Sequence, residues 1–204
     1  EKIRARKIAL GKAPFYVLPL QLNTDAQIRH HSQFSDMKEL IEHVLASFAQ
    51  HAPTESHIVI KNHPLDIGWM NYQKIIAGCE KRFDLAGRVH YLEEGGWAML
   101  GSNARGVVTV NSTAGTVALE YGVPLKALSD PIYNLPGLTC QLPLDDFWRE
   151  GTLPTAELFK RFRRWRTFGA KARRRMWSCS SAFAVVCCMP RRLMVVFIRM
   201  KPLH

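Results

Sequence analysis

The chain has 204 residues, of which 47% are apolar, 22% charged and 10% aromatic. That balance suits one sizeable globular core of about one domain and excludes a wholly disordered or fibrous chain. The formal charge of +11 points towards nucleic acid or membrane only until it is located: Leu158 to His204 hold thirteen Lys and Arg and no Asp or Glu, leaving fifteen basic against seventeen acidic residues in the body, so the body is nearly neutral and gives a nucleic-acid reading little support.

In chain order, Phe15 to Leu20 is apolar and partly aromatic, with Pro14 and Pro19 tolerated at its ends, and reads as a buried strand. Met37, Leu40, Ile41, Val44, Leu45 and Phe48 then recur at helical spacing behind a cap at Ser35 or Asp36. A β-branched run, His57 to Lys61, is followed by Tyr72, Ile75, Ile76, Cys79 and Phe83 on one helical face. Val89 to Leu92 predicts a third strand, Trp97 to Ala104 a short helix, and Gly106 to Val110 a fourth strand. A helix from Ala114 to Tyr121 stops at Gly122, and Leu125 to Leu128 follows Pro124 as a fifth strand. After Asp130 the chain reads as loop until a last helix carrying Leu158, Phe159, Phe162 and Trp165 on one face.

Strands alternating with helices predict an α/β fold, a doubly wound and mostly parallel sheet with helices on both faces. Ligands of such sheets sit beyond the carboxyl ends of the strands, which directs attention to the residues after Leu20, Lys61, Leu92 and Val110.

Four stretches there carry candidate chemistry. Val110-Asn111-Ser112-Thr113-Ala114-Gly115 runs from a strand end into a helix start, where free backbone N–H groups and hydroxyls suit a phosphate; the plainer alternative is that Ser112 or Thr113 only caps the helix. In Lys61-Asn62-His63-Pro64 the proline keeps His63 extended at the sheet edge, where its ring can face the same cleft as that helix start, though a His-Pro pair is also an ordinary turn. Gln21 to Ala26 includes Asp25, a carboxylate after a buried strand that is either a nucleophile or base or a solvated loop residue, and His30, His31 and Ser32 follow. Glu93-Glu94 can hold a sugar hydroxyl or simply be an exposed turn. No Walker-type or dinucleotide-binding glycine pattern occurs, and the eight histidines form no helical metal pair, so neither a protein-bound metal nor a cofactor is expected.

Cys79 and Cys140 lie 61 residues apart with no paired spacing, which fits a reducing, cytoplasmic compartment. The late apolar run Ala182 to Met189 is eight residues long and ends at Pro190, well short of the ~20 that cross a bilayer.

Taken together, Leu18-Pro-Leu-Gln-Leu-Asn-Thr-Asp25, His31-Ser32, Lys61-Asn-His-Pro64, Val110-Asn-Ser-Thr-Ala-Gly115 and Ile132-Tyr-Asn-Leu-Pro-Gly-Leu-Thr139 resemble the capsule polysaccharide biosynthesis and export family of Gram-negative bacteria, in its KpsS-type members, over Phe15 to Arg164. The resemblance implies a β-Kdo glycosyltransferase that moves Kdo from CMP-Kdo to a lysophosphatidylglycerol-type lipid. It also implies that residues 15–166 are the nucleotide-binding second lobe of a two-lobed (GT-B-like) enzyme and residues 1–14 a remnant of the first lobe or a linker, so that this piece is expected to be inactive alone. Asp25 would be the nucleophile of a retaining double displacement, or a base in an inverting one. His63 would hold the donor phosphate, with Ser112 and Thr113 completing its pocket. Gln21, His31, Ser32, Lys61, Asn111, Gly115 and Tyr133 are carried as binding residues on the same motifs, and Thr139 as a pocket wall. The implied partners are the nucleotide sugar, a lipid acceptor at the inner membrane surface and other capsule assembly proteins, without nucleic acid, and the implied location is cytoplasmic and peripheral to that membrane.

Residues 167–204 match nothing in the family and read as a disordered or non-native basic tail, with a membrane-contact segment as the alternative. A non-catalytic capsule export partner is the rival to the enzyme, and a basic nucleic-acid- or membrane-binding protein a more distant one.

Overall fold

Five short runs of β-branched and aromatic residues, apolar on both sides, make the strands, because only a sheet covered on both faces buries such runs completely. The computed structural model describes residues 13–22, 33–66, 68, 70–93, 97, 100, 103–176, 188–189 and 192–193, with side chains described up to Thr167. Asp25, His30, His31 and Ser32 lie outside the described residues.

The elements are β1 (Phe15–Pro19), α1 (Met37–His51), β2 (His57–Lys61), α2 (Tyr72–Arg82), β3 (Val89–Leu92), β4 (Gly106–Thr109), α3 (Ala114–Glu120), β5 (Leu125–Ala127), α4 (Leu144–Glu150) and α5 (Ala156–Met176). The sheet order is β3-β2-β1-β4-β5, and every pairing is parallel. Strand β1 therefore sits at the centre, with Val17 opposite Val59 on one side and Val107 on the other. From β1 the chain winds outward to β2 and β3, then returns to β4 and winds the other way. This reversal falls between β1 and β4, and the carboxyl ends of the strands at such a point are where doubly wound sheets hold their ligand crevice.

The core has two layers, as alternation of side chains across a sheet requires. On one face Leu18, Ile58, Ile60 and Val108 meet the apolar stripe of α1 together with α2. On the other, Val17, Val59, Val107 and Leu125 meet Ala118 and Leu119 of α3 and Phe162 of α5. Helix α1 starts on Asp36, whose carboxylate accepts the Glu39 N–H at 2.8 Å, while Glu39 accepts from the Ser35 N–H and hydroxyl at 2.7 Å, a reciprocal cap. Gly122 closes α3 at φ 68, a left-handed conformation that favours glycine.

Element boundaries differ from the sequence reading by one residue at β1, β4, α3 and β5. Of the segment expected as a helix from Trp97, Trp97 and Leu100 are helical and the Ala104 N–H reaches the Leu100 carbonyl at 3.1 Å. One helix was not foreseen. Helix α4 interrupts the expected loop and places Leu144, Phe147 and Trp148 in the α1 layer. Its indole N–H donates to Ser47 Oγ at 2.8 Å, Ser47 donates to Asp145 at 2.5 Å, and the Tyr16 hydroxyl donates to the Trp148 carbonyl. Tyr16, Phe48, Phe147 and Trp148 pack edge to face around this point.

Residues to Phe162 and those from Arg163 form two separate units. In the first, Leu158, Phe159 and Phe162 lie against the core. In the second, Trp165, expected on the buried face, is 49% exposed. Helix α5 continues to Met176, and β6 (Cys188–Met189) pairs antiparallel with β7 (Arg192–Leu193). Among the described residues no helix is long and apolar enough to cross a membrane.

Trp148 is fully buried and holds α4 by ring packing and two hydrogen bonds. Trp148→Ala is therefore expected to lower the unfolding free energy by about 3–5 kcal/mol, read from denaturant titration. A loss under about 1 kcal/mol would mean that α4 is not part of the cooperative core.

Candidate functional site

The crevice where the winding reverses is built from the two strand exits that flank it. Leaving β1, Gln21 is buried, and its side-chain amide donates to Asn111 Oδ1 at 2.9 Å while its carbonyl oxygen accepts the Asn111 N–H at 3.4 Å. Asn111 stands two residues beyond β4, so this amide pair ties the two exits together across the crevice. Gln21 and Asn111 are thus brought together as expected of neighbours on one site, with much of their hydrogen-bonding capacity spent on each other.

The next residues turn into α3. Ser112 Oγ accepts the Ala114 N–H at 3.1 Å, so of the two capping residues considered it is Ser112 that caps, and its hydroxyl proton remains a donor. Thr113 already has helical geometry (φ -59, ψ -20), makes no side-chain cap bond and is exposed. Helix α3 has only seven residues, so what the turn offers is mainly its hydroxyls and not a long helix dipole.

Tyr133 explains why the turn has this form. It is 2% exposed, and its phenol donates to the Ser112 carbonyl at 2.6 Å. The ring needs the space over Gly115, where any Cβ would stand 2.6 Å from the phenol oxygen, so Gly115 and Tyr133 require each other. Burial pushes the Tyr133 phenol far above its ordinary range, leaving it a neutral donor. The strap carrying Tyr133 is stiffened from within: Thr139 Oγ1 donates to Asn134 Oδ1 at 2.7 Å, and the Gln141 amide donates to Thr139 Oγ1 at 2.8 Å. Tyr133 and Thr139 therefore support the turn from behind.

His63 stands elsewhere. Its Nδ1 accepts the Leu65 N–H at 3.1 Å, which leaves Nε2 as the ring nitrogen free to donate, and its backbone N–H donates to Asn62 Oδ1 at 2.9 Å. It lines a cleft of about 570 Å³ beyond β2 and β3 with Asn62, Asp66, Tyr72, Tyr91 and Glu93. Ser112, Thr113 and Gly115 do not line that cleft. The expectation that His63 faces one cleft with the α3 start is corrected accordingly: the tight turn from His63 to Asp66, closed by the Asp66 N–H on the His63 carbonyl at 3.0 Å, carries the ring along the β2–β3 side, and the exit of β1 lies between the two groups. Asn62 donates to Asp66 at 3.0 Å and Gln73 to Glu93 at 2.8 Å, so the cleft's two carboxylates are each held by an amide.

Lys61, at the end of β2, is 6% exposed, and its ammonium reaches only the Asn62 carbonyl at 3.4 Å. Burial holds its pKa below the ordinary lysine range. Among the described residues no three His, Cys, Asp or Glu side chains gather as a metal site would require.

The family model described as "Capsule polysaccharide biosynthesis protein" matches residues 1–168. The chain is 38% identical over 161 residues to the capsule polysaccharide modification protein LipB of Neisseria meningitidis, covering 78% of this chain and 38% of that one. To the capsule polysaccharide export protein KpsS of Escherichia coli it is 40% identical over 149 residues, covering 73% and 38%. The chain thus spans 38% of the length of these curated relatives. Among solved structures, the beta Kdo 2,7 transferase KpsC of Thermosulfurimonas dismutans is similar with a TM-score of 0.46 and 21% identity, covering 76% of this chain and 58% of that one. Alr3699/HepE of Anabaena, solved with UDP and glucose, is similar with a TM-score of 0.42 and 17% identity over 62% and 32%.

The buried phenols make the geometry measurable in alkali. Burial, with Asp66 acting on both and Glu93 on Tyr91, pushes Tyr72 and Tyr91 up to about 12 from an ordinary 10.0. The folded state therefore keeps protons that the unfolded chain gives up, so stability is intact below about pH 10 and falls as pH rises towards about 12. A urea midpoint that drops across this range, and drops less in Tyr72→Phe, is the expected result. Equal slopes would mean that Tyr72 titrates as an open phenol.

Proposed function

Because the chain belongs to the capsule polysaccharide biosynthesis protein family, we propose that it is the donor-binding lobe of a capsule glycosyltransferase that moves Kdo from CMP-Kdo to a lysophosphatidylglycerol-type lipid. The observation that carries this reading is the crevice at the carboxyl ends of β1 and β4, tied by Gln21 and Asn111 and edged by the Ser112 and Thr113 hydroxyls. It is the place where doubly wound sheets hold nucleotides, and it offers donors to a phosphoryl group. His63, whose Nδ1 accepts the Leu65 N–H, leaves Nε2 to meet the donor from the β2–β3 side of the β1 exit.

In this mechanism the Asp25 carboxylate attacks the anomeric carbon, and the bond from that carbon to the phosphate oxygen breaks with its electron pair leaving on cytidine monophosphate. The acceptor hydroxyl then displaces the carboxylate, and two inversions give net retention. Charge grows on the departing phosphate, so donors already in place at Ser112 and Thr113 stabilise the transition state more than the ground state. The lipid acceptor places the protein at the cytoplasmic face of the inner membrane, in contact with other capsule assembly proteins. The name of the Escherichia coli relative, capsule polysaccharide export protein KpsS, favours a second reading, a non-catalytic export partner.

Calorimetry and mass analysis separate these. Cytidine monophosphate is expected to bind the full chain, and Thr113→Val to weaken it by about tenfold, the loss of one charge-assisted hydrogen bond. A chain that includes the remaining length of its relatives is expected to yield a Kdo adduct on Asp25 with the activated sugar, absent in Asp25→Asn. Nucleotide binding with no adduct and no transfer would favour the export partner, and no nucleotide binding by folded protein would end the donor-lobe reading.

A further inference from the structure

Among the described residues, Lys61 is a buried cation with no carboxylate to neutralise it. Its side chain is 6% exposed. Its one hydrogen bond, 3.4 Å to the Asn62 carbonyl, is at the limit of a useful length. None of the ion pairs among the described residues includes it, and among those residues burial is what lowers its pKa. An ammonium removed from water without a partner is destabilising.

The register shows where the charge lies. Lys61 is opposite Pro19 of β1, and carrying the β1–β4 register on from Val17 and Val107 sets Thr109 opposite Pro19 from the other side. All three share one face of the sheet, that of Val59, Val17 and Val107, since side chains alternate. Thr109 is fully buried, and its hydroxyl has no hydrogen-bond partner, which is rare for a buried polar atom. Two under-satisfied polar groups, about 10 Å apart at strand spacing, thus flank the short proline ring on the α3 face, where the chain leaves β1 for Gln21.

We propose that Lys61 is the charge-recognition residue of this lobe, an ammonium held in place to meet an oxyanion of the ligand that enters at the carboxyl end of β1. The inference rests on the donor-binding reading and adds to it which charge the site selects and which residue selects it. Two oxyanions of such a donor share this chemistry, the nucleotide phosphoryl group and the carboxylate of an acidic sugar. A lysine retained for a ligand and not for the fold has a signature that a structural lysine lacks: replacing it by an apolar side chain of similar length strengthens the fold and weakens binding.

The test compares the full chain with Lys61→Met and Lys61→Arg. Thermal unfolding without ligand is expected to give a higher Tm for Lys61→Met. Titration then uses cytidine monophosphate against cytidine, and a free 2-keto sugar acid against its methyl ester. A loss of about tenfold or more in Lys61→Met for the monophosphate, with cytidine unchanged and partial recovery in Lys61→Arg, assigns the phosphoryl group. The same loss for the sugar acid, with its ester unchanged, assigns the carboxylate. A Lys61→Met protein that is less stable, or that binds all four probes within twofold of the original chain, overturns the proposal while leaving the donor-lobe reading intact. An original chain that binds none of the probes removes both.

Discussion

Strand β1 is paired in parallel on both of its edges, and every described functional side chain owes its place to that. Because β2 and β4 both run alongside it, the chain winds away from β1 in two opposite directions, and the winding reverses at the gap between β1 and β4. The buried faces of β1 leave little freedom in this arrangement, since a slip of one residue would exchange Val17 with Leu18 between the two core layers. The register that fills the core is the same register that brings Lys61, Pro19 and Thr109 side by side.

The parts that surround the crevice are fixed by tertiary contacts and not by local preference. The Ser112 turn is held from behind by Tyr133, whose hydroxyl reaches it from 21 residues further along the chain, and by the absence of a Cβ at Gly115. Gln21 and Asn111, 90 residues apart, close the same gap from its two sides. These neutral hydrogen bonds are already made within the chain itself, which is the condition for donors that do not need to reorganise when charge develops.

This pattern explains what was legible in the sequence. The β-branched runs and the α1 stripe gave strands and helix directly, and their alternation gave the sheet, because burial on two faces leaves a strong periodic trace. Helix α4 was missed because Leu144, Phe147 and Trp148 make a single helical step between prolines and a glycine, and what seats them is Ser47 and Tyr16, far away in sequence. The stretches after Lys61 and Val110 were recognisable as strand exits. That His63 follows the β2–β3 side and Ser112 the β1–β4 crevice depends on which way each turn curls, and that Lys61 is buried without an ion pair among the described residues depends on what its neighbours are not. Neither leaves a mark on spacing. Membership of the capsule polysaccharide biosynthesis family, in contrast, was visible in the order of the motifs.

The central claim is that a nucleotide's phosphoryl group lodges where the two windings part. A crystal structure of the chain with cytidine monophosphate tests it most directly. The account predicts phosphoryl density beyond the carboxyl ends of β1 and β4, within hydrogen-bond reach of the Ser112 or Thr113 hydroxyl and on the Gln21 side of the sheet. Density confined to the amino edge, for instance in the groove between Arg105 and Arg149, would contradict it.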